Sequence, residues 1–181
     1  MPFKLLQSRP DRLRIETSVF GFKAIQTYDG TTAWSLSPTQ GMEAVKTDAR
    51  DMEFIAAATS IDGPFSHNKN NKYVLRYLGD DTYREVPVEV VVWASDSERL
   101  IYYINNKTWL VEGVRYEYEK NGGWYSMEYQ VREYQDFEGA KFPSKVTAFV
   151  NGVEMVNLFV TDLKLIDEPG AEYFGKPSYA Q

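Results

Sequence analysis

The chain has 181 residues, 43% of them hydrophobic, and its 26 acidic residues outnumber its 20 basic ones for a formal charge of -6. That length suits one domain with a sizeable core, expected over residues 1–181. Basic residues scattered through an acidic chain exclude the positive stripe a nucleic-acid partner needs, no apolar run approaches the ~18 to 20 residues of a membrane-spanning helix, and the absence of cysteine excludes disulfides, thiolate metal sites and thiol catalysis.

The opening MPFKLLQSRPDRLRIE reads as strand, turn and strand and has no apolar stretch of signal-peptide type. From Arg12 to Phe20, Leu13, Ile15, Thr17 and Val19 alternate with Arg12, Arg14, Glu16 and Ser18, the period of a half-buried strand. Gly21 permits a reversal into a strand from Phe22 to Tyr28, and Asp29-Gly30 is a hairpin signal leading into a strand through Trp34. The period changes at Thr47–Thr59, where helix formers, three consecutive alanines and a stripe of Met52, Ile55, Ala56 and Thr59 predict the one main helix, N-capped by Thr47 or Asp48. IDGPF and HNKNNK follow as a breaker and a polar loop.

Longer strands then succeed one another: YVLRYLG, VPVEVVVWAS, RLIYYIN, TWLVEGVRYEYE, WYSMEYQVREYQDF, SKVTAFV and VEMVNLFVTDLKL. Gly113 interrupts its strand's alternation and predicts a bulge or bend, FEGAKFP reads as a loop, and Asn151-Gly152 is the strongest short hairpin signal. The tail DEPGAEYFGKPSYAQ reads as a surface loop. The pattern is a mainly β fold: a strongly curved antiparallel sheet or half-closed β-barrel, with one main helix covering the concave face.

The residue inventory offers little for catalysis. The single histidine, His67, stands in a polar loop; Asp80-Asp81 and Asp96 fall at predicted turns; no phosphate-binding glycine loop precedes a helix. Some pair of the many carboxylates could flank a glycosidic bond, yet none is singled out. No cofactor and no metal are expected. What remains is apolar surface, with 13 tyrosines, 10 phenylalanines and 4 tryptophans that either fill an ordinary core or enclose a ligand. A curved sheet this long is difficult to fill with one short helix, which favours a cavity. Trp93, Trp124 and Tyr103 fall opposite the aliphatic stripes, where packing between strands competes with a surface-binding role.

The ordered set RPDRLRIETSVFGFKAIQTYDGTTAWSLSP, the helix, IDGPF, YREVPVEVVVW, LIYYINNKTWLVEG, YQDFEGAKFPSKV and DEPGAEYFGKP resembles the LolA-like superfamily of outer-membrane lipoprotein-sorting proteins, especially its Bacteroidetes-type members. The resemblance covers nearly the whole chain. It implies a half-closed barrel with an apolar concave side, in a non-catalytic periplasmic carrier of lipid or acylated lipoprotein. Related architectures imply an alternative, an envelope sensing or protein-interaction domain with a closed core and an aromatic outer face. Against the family pattern the chain starts about one helix and one strand late, so the domain is expected to be N-terminally incomplete, with an exposed edge that favours homodimerisation or a bound guest. Family members secure their lid with an arginine on backbone carbonyls; Arg12, Arg14 and Arg50 are the candidates here by region.

The ligand cavity is expected between the helix stripe Met52, Ile55 and Ala56 and a sheet face containing Ile15, Trp34, Val90, Val92, Tyr102, Ile104, Tyr129, Val131, Val146 and Leu158. A one-residue bulge inverts such an assignment locally.

Overall fold

The computed structural model describes residues 2–19, 21–59, 74–120 and 122–179. The IDGPF and HNKNNK segments, with His67, lie outside them. The described chain is mainly β, with two antiparallel sheets and one α-helix, and it divides into two compact units, Met1–His67 with Ile166–Gln181, and Asn68–Leu165.

The first unit holds five antiparallel strands in sequence order, β1 (Phe3–Ser8), β2 (Arg12–Val19), β3 (Phe22–Tyr28), β4 (Ala33–Leu36) and β5 (Val45–Thr47). Asp29 closes the β3–β4 hairpin as the sequence predicts: its side-chain Oδ1 accepts from the Thr31 and Thr32 amides, and Gly30 adopts φ +95°. The helix, α1 (Arg50–Ala58), is shorter than its periodicity suggests because Thr47 belongs to β5, and the Asp48 carboxylate receives the Arg50 amide at 3.1 Å.

Register fixes what α1 covers. Leu13 lies opposite Tyr28, and Tyr28 opposite Ala33, so these three share one face, where they pack with Met52 and Ala56. Tyr28 donates to Glu53 at 3.2 Å, and Gln7 donates to the Ala56 carbonyl at 3.1 Å. The other face is covered as well. The tail, expected to run over the surface as loop, instead forms a short 3-10 helix, Ala171–Phe174, that buries Phe174 completely. Arg14 donates to the Tyr173 carbonyl at 3.0 Å, Thr27 to the Gly175 carbonyl at 2.7 Å, and the Arg12 guanidinium sits over the Phe174 ring while pairing with Glu168. This sheet is therefore the middle layer of three.

The second unit is a seven-stranded meander: β6 (Val74–Tyr83), β7 (Val86–Ala94), β8 (Glu98–Asn105), β9 (Val111–Lys120), β10 (Gly123–Phe137), β11 (Ala140–Val150) and β12 (Val153–Phe159), each paired with its successor. Where FEGAKFP suggested a loop, Glu138 and Gly139 make a two-residue turn at φ 49° and 85°, and Pro143 enters β11. Asp80 and Asp81 lie within β6 rather than at a turn. The reversal comes at Arg84-Glu85, φ 51° and 66°, a pair without turn chemistry in its side chains.

Candidate functional site

Following one row across the second sheet shows how its two faces differ. Val91 lies opposite Tyr102, Tyr102 opposite Val114, Val114 opposite Tyr129, Tyr129 opposite Ala148, and Ala148 opposite Val156. The adjacent row on the other face runs Val90, Tyr103, Gly113, Gln130, Thr147 and Asn157. This row is apolar and aromatic from end to end, although Glu98, Glu89 and Asp80 also lie on its face. The other is aliphatic on β7 and polar beyond β8.

The aromatic face carries the candidate site. Its burial is graded: Leu100, Tyr102, Ile104, Val114, Tyr116 and Tyr118 on β8 and β9 are buried, as are Val131 on β10 and Ala148 on β11, while Met127, Tyr129, Val146 and Leu158 are half-buried, and Tyr125, Val150 and Val156 are exposed. Tyrosine rings add polarisable surface, with Tyr118 stacked on Tyr125 at 5.8 Å between centroids. Burial pushes the Tyr102 hydroxyl well above its ordinary pKa, so it is neutral across the physiological range. Trp93 lies on this face opposite Leu100, and its buried indole Nε1–H has no acceptor among the described residues, a donor that a ligand carbonyl or ester oxygen would satisfy. Such a surface can hold acyl chains by burial of methylenes with little geometric demand on the ligand.

The opposite face has a different centre. Glu128 accepts from Tyr83 at 2.6 Å, from Gln130 at 2.7 Å and from Arg115 at 2.7 Å. Burial works against the Glu128 charge, but these three donors prevail and hold its carboxyl below the usual value. Tyr83 stacks on Tyr103 at 4.1 Å with Arg115 over the Tyr103 ring, and the Tyr83 ring occupies the space a side chain at Gly113 would need. Every polar atom named here has a partner, which makes the cluster a brace across β6, β8, β9 and β10 rather than a reactive site.

The residues expected around one cavity are distributed over several surfaces. Ile15, Met52, Ile55 and Ala56 pack together on the helix-covered face of the first sheet. Trp34 pairs with Thr27 on the opposite face of that sheet, half-buried beneath Lys176 at 5.5 Å. Tyr102, Ile104, Tyr129, Val131, Val146 and Leu158 share the aromatic face of the second sheet, whereas Val90 and Val92 belong to its valine face with Val88 and Tyr83. β7 is apolar on both sides, Val88, Val90 and Val92 against Val91 and Trp93, so alternation alone does not say which side meets Tyr102. Leu100 joins Tyr102 and Ile104 as the alternation of β8 predicts, and Val114, Tyr116 and Ala148 join the face unforeseen. For Val114 the signal was Gly113: the register steps from Tyr103 opposite Gly113 to Ile104 opposite Val111, and the extra residue turns Val111 and Val114 to the same side.

Of the three aromatic residues expected away from the aliphatic stripes, Trp93 is buried, Tyr103 is stacked on Tyr83, and only Trp124 is exposed, with Arg99 at 5.2 Å over its ring. Arg99, Glu117, Trp124, Tyr125 and Ser126 line an open depression of about 350 Å³. Of the three arginine candidates, Arg12 and Arg14 hold the tail, and Arg50 lies 3.9 Å from Asp48 at the start of α1. Among the described residues no helix is long and apolar enough to cross a membrane, and no group of three or more potential ligands is placed to hold a metal ion.

No protein-family model matches the chain, and no curated protein does. Solved structures do. A LolA-superfamily protein from Nitrosomonas europaea superposes with a TM-score of 0.63 over 96% of this chain and 80% of its own, at 12% identity. A domain from Vibrio parahaemolyticus described as an outer membrane lipoprotein-sorting protein gives 0.52 over 90% of this chain and 77% of its own, at 14% identity. At these identities the likeness is one of fold, and the fold is LolA-like, as the order of sequence motifs implied.

Proposed function

We propose that the protein is a non-catalytic carrier of lipid or acylated lipoprotein in the bacterial cell envelope, acting in the periplasm, and that its aromatic face receives the acyl chains. The carrying observation is the graded exposure of that face: an apolar row that is closed at β8 and β9 and, apart from buried Val131 and Ala148, half-open or exposed from β10 to β12. Tyr129, Val146 and Leu158, half-open next to exposed Val150 and Val156, make a contiguous apolar patch of the kind that serves as an interaction surface. Each methylene buried there contributes ~0.8 kcal/mol, so affinity follows chain length more than headgroup. The LolA-like fold supports the same reading, since one structural neighbour is described as a lipoprotein-sorting domain.

The test is extraction of the purified protein into organic solvent followed by mass spectrometry, with a fluorescent acyl probe titrated into delipidated protein. Co-purifying acyl lipids and saturable probe binding are expected. A clean extract together with no saturable binding would refute the carrier role.

A further inference from the structure

The first strand of the second sheet carries a feature unrelated to lipid binding. Among the described residues β6 is an edge strand, paired to β7 on one side only, and it exposes four large apolar residues: Val74 at 57%, Leu75 at 47%, Tyr77 at 63% and Leu78 at 64%. An edge strand presents unpaired backbone N–H and C=O groups that template strand pairing, and here the charges and the bulge that would otherwise blunt the edge set the register of that pairing. The charges on β6 are arranged asymmetrically, with Arg76 toward its start and Asp80 and Asp81 toward its end, and Arg76 has no ion-pair partner among the described residues.

Residues five apart on a regular strand point to opposite faces. β6 is not regular. Its register against β7 steps from Tyr77 opposite Val91 to Gly79 opposite Val90, leaving Leu78 as a bulge. The extra residue brings Arg76, opposite Val92, and Asp81, opposite Val88, onto the same valine face. It likewise brings Tyr77 and Asp80 onto the aromatic face, where the Tyr77 hydroxyl donates to Asp80 at 3.3 Å and also to Glu89.

We propose that β6 pairs antiparallel with β6 of a second copy, about a twofold axis passing between Leu78 and Gly79. In that register Arg76 of each copy stands opposite Asp81 of the other, Tyr77 opposite Asp80, and Leu75 opposite Thr82. All of these pairs are face-matched only because both strands carry the bulge. The arrangement is isologous, so the Arg76–Asp81 pair occurs twice and the apolar residues of the two edges cover each other. A twofold perpendicular to the sheet sets the aromatic faces of the two copies on the same side.

Sedimentation velocity on the full chain tests the register by charge reversal. Wild type is expected to dimerise. Arg76→Asp alone and Asp81→Arg alone each place two like-charged pairs in the interface and should weaken the dimer about tenfold or more. An equimolar mixture of the two variants, in which every cross-strand pair is again opposite in sign, should recover it. Both positions are on an exposed strand, and circular dichroism checks that each variant is folded. Leu78→Lys, which brings two ammonium groups to the axis, should also dissociate the dimer. A monomeric wild type, a dimer indifferent to Leu78→Lys, or a mixture no tighter than either charge variant alone would overturn the proposal.

Discussion

The two sheets are built from the same alternating pattern and end up in opposite conditions. The first is short, and both of its faces are covered within its own unit: α1 packs on Leu13, Tyr28 and Ala33, and the tail, with Phe174, covers the other side. The second is longer, and its aromatic face, buried on β8 and β9, is partly open from β10 to β12. The carrier function proposed above uses the half-open apolar row and leaves the closed sheet as scaffold. Four changes can break or sharpen that contrast.

The largest effect is expected in the closed sheet. Phe174→Ala removes a fully buried ring from the tail layer and should cost about 3–5 kcal/mol in chemical denaturation. A loss under ~1 kcal/mol would mean that the tail is only draped over the sheet, and the contrast between the two sheets would disappear.

Next comes the brace of the open sheet. A Cβ on Gly113 would stand 2.5 to 2.8 Å from atoms of the Tyr83 ring, closer than any real contact. Gly113→Ala should therefore destabilise by about 1–3 kcal/mol. Combining it with Tyr83→Leu, which frees the space, should cost less than the sum of the two single changes. Strict additivity in that cycle would show that the ring is not held against the glycine.

How much of this was written in the sequence differs between the same two regions. Period-two alternation located the main strands, and the single helix announced itself by its alanines and the Met52 stripe. The face of each strand was harder, because it depends on bulges and on long-range register. Val90 and Val92 carry no mark that separates them from Val91, and Trp34 sits in an alternation whose two sides are both covered. The Arg84-Glu85 turn was hidden because its positive φ angles are imposed by pairing of β6 with β7 and not by glycine or asparagine. The Glu128 brace joins residues from four strands, so no local spacing could reveal it.

The functional side of the contrast is addressed by Leu158→Glu. It puts a charge on the half-open part of the aromatic face and should weaken acyl-probe binding about tenfold with little effect on stability. Its neighbour Asn157 lies opposite Thr147, on the other face. Asn157→Glu should therefore leave probe affinity within about twofold, the size of an ordinary surface change. Equal losses in both variants would make the effect one of general charge near β12, and the assignment of binding to one face would fail.

The smallest effect concerns the Glu128 carboxylate, whose folded pKa lies below its unfolded value because Tyr83, Gln130 and Arg115 outweigh the cost of burial. A depressed carboxyl contributes stability that is fully present above its unfolded pKa, near 4.5, and is lost as pH falls through the lower folded value. Glu128→Gln keeps an acceptor for Tyr83 but gives up the charge facing Arg115, so near neutral pH it should be about 1 kcal/mol less stable than wild type. Urea titrations at stepwise lower pH should show that difference shrinking from pH 4.5 downward, as wild-type Glu128 takes up the proton that the variant never could. A difference that stays constant through that window would place the stabilisation in shape and packing, leaving the open sheet braced by its rings and not by its buried charge.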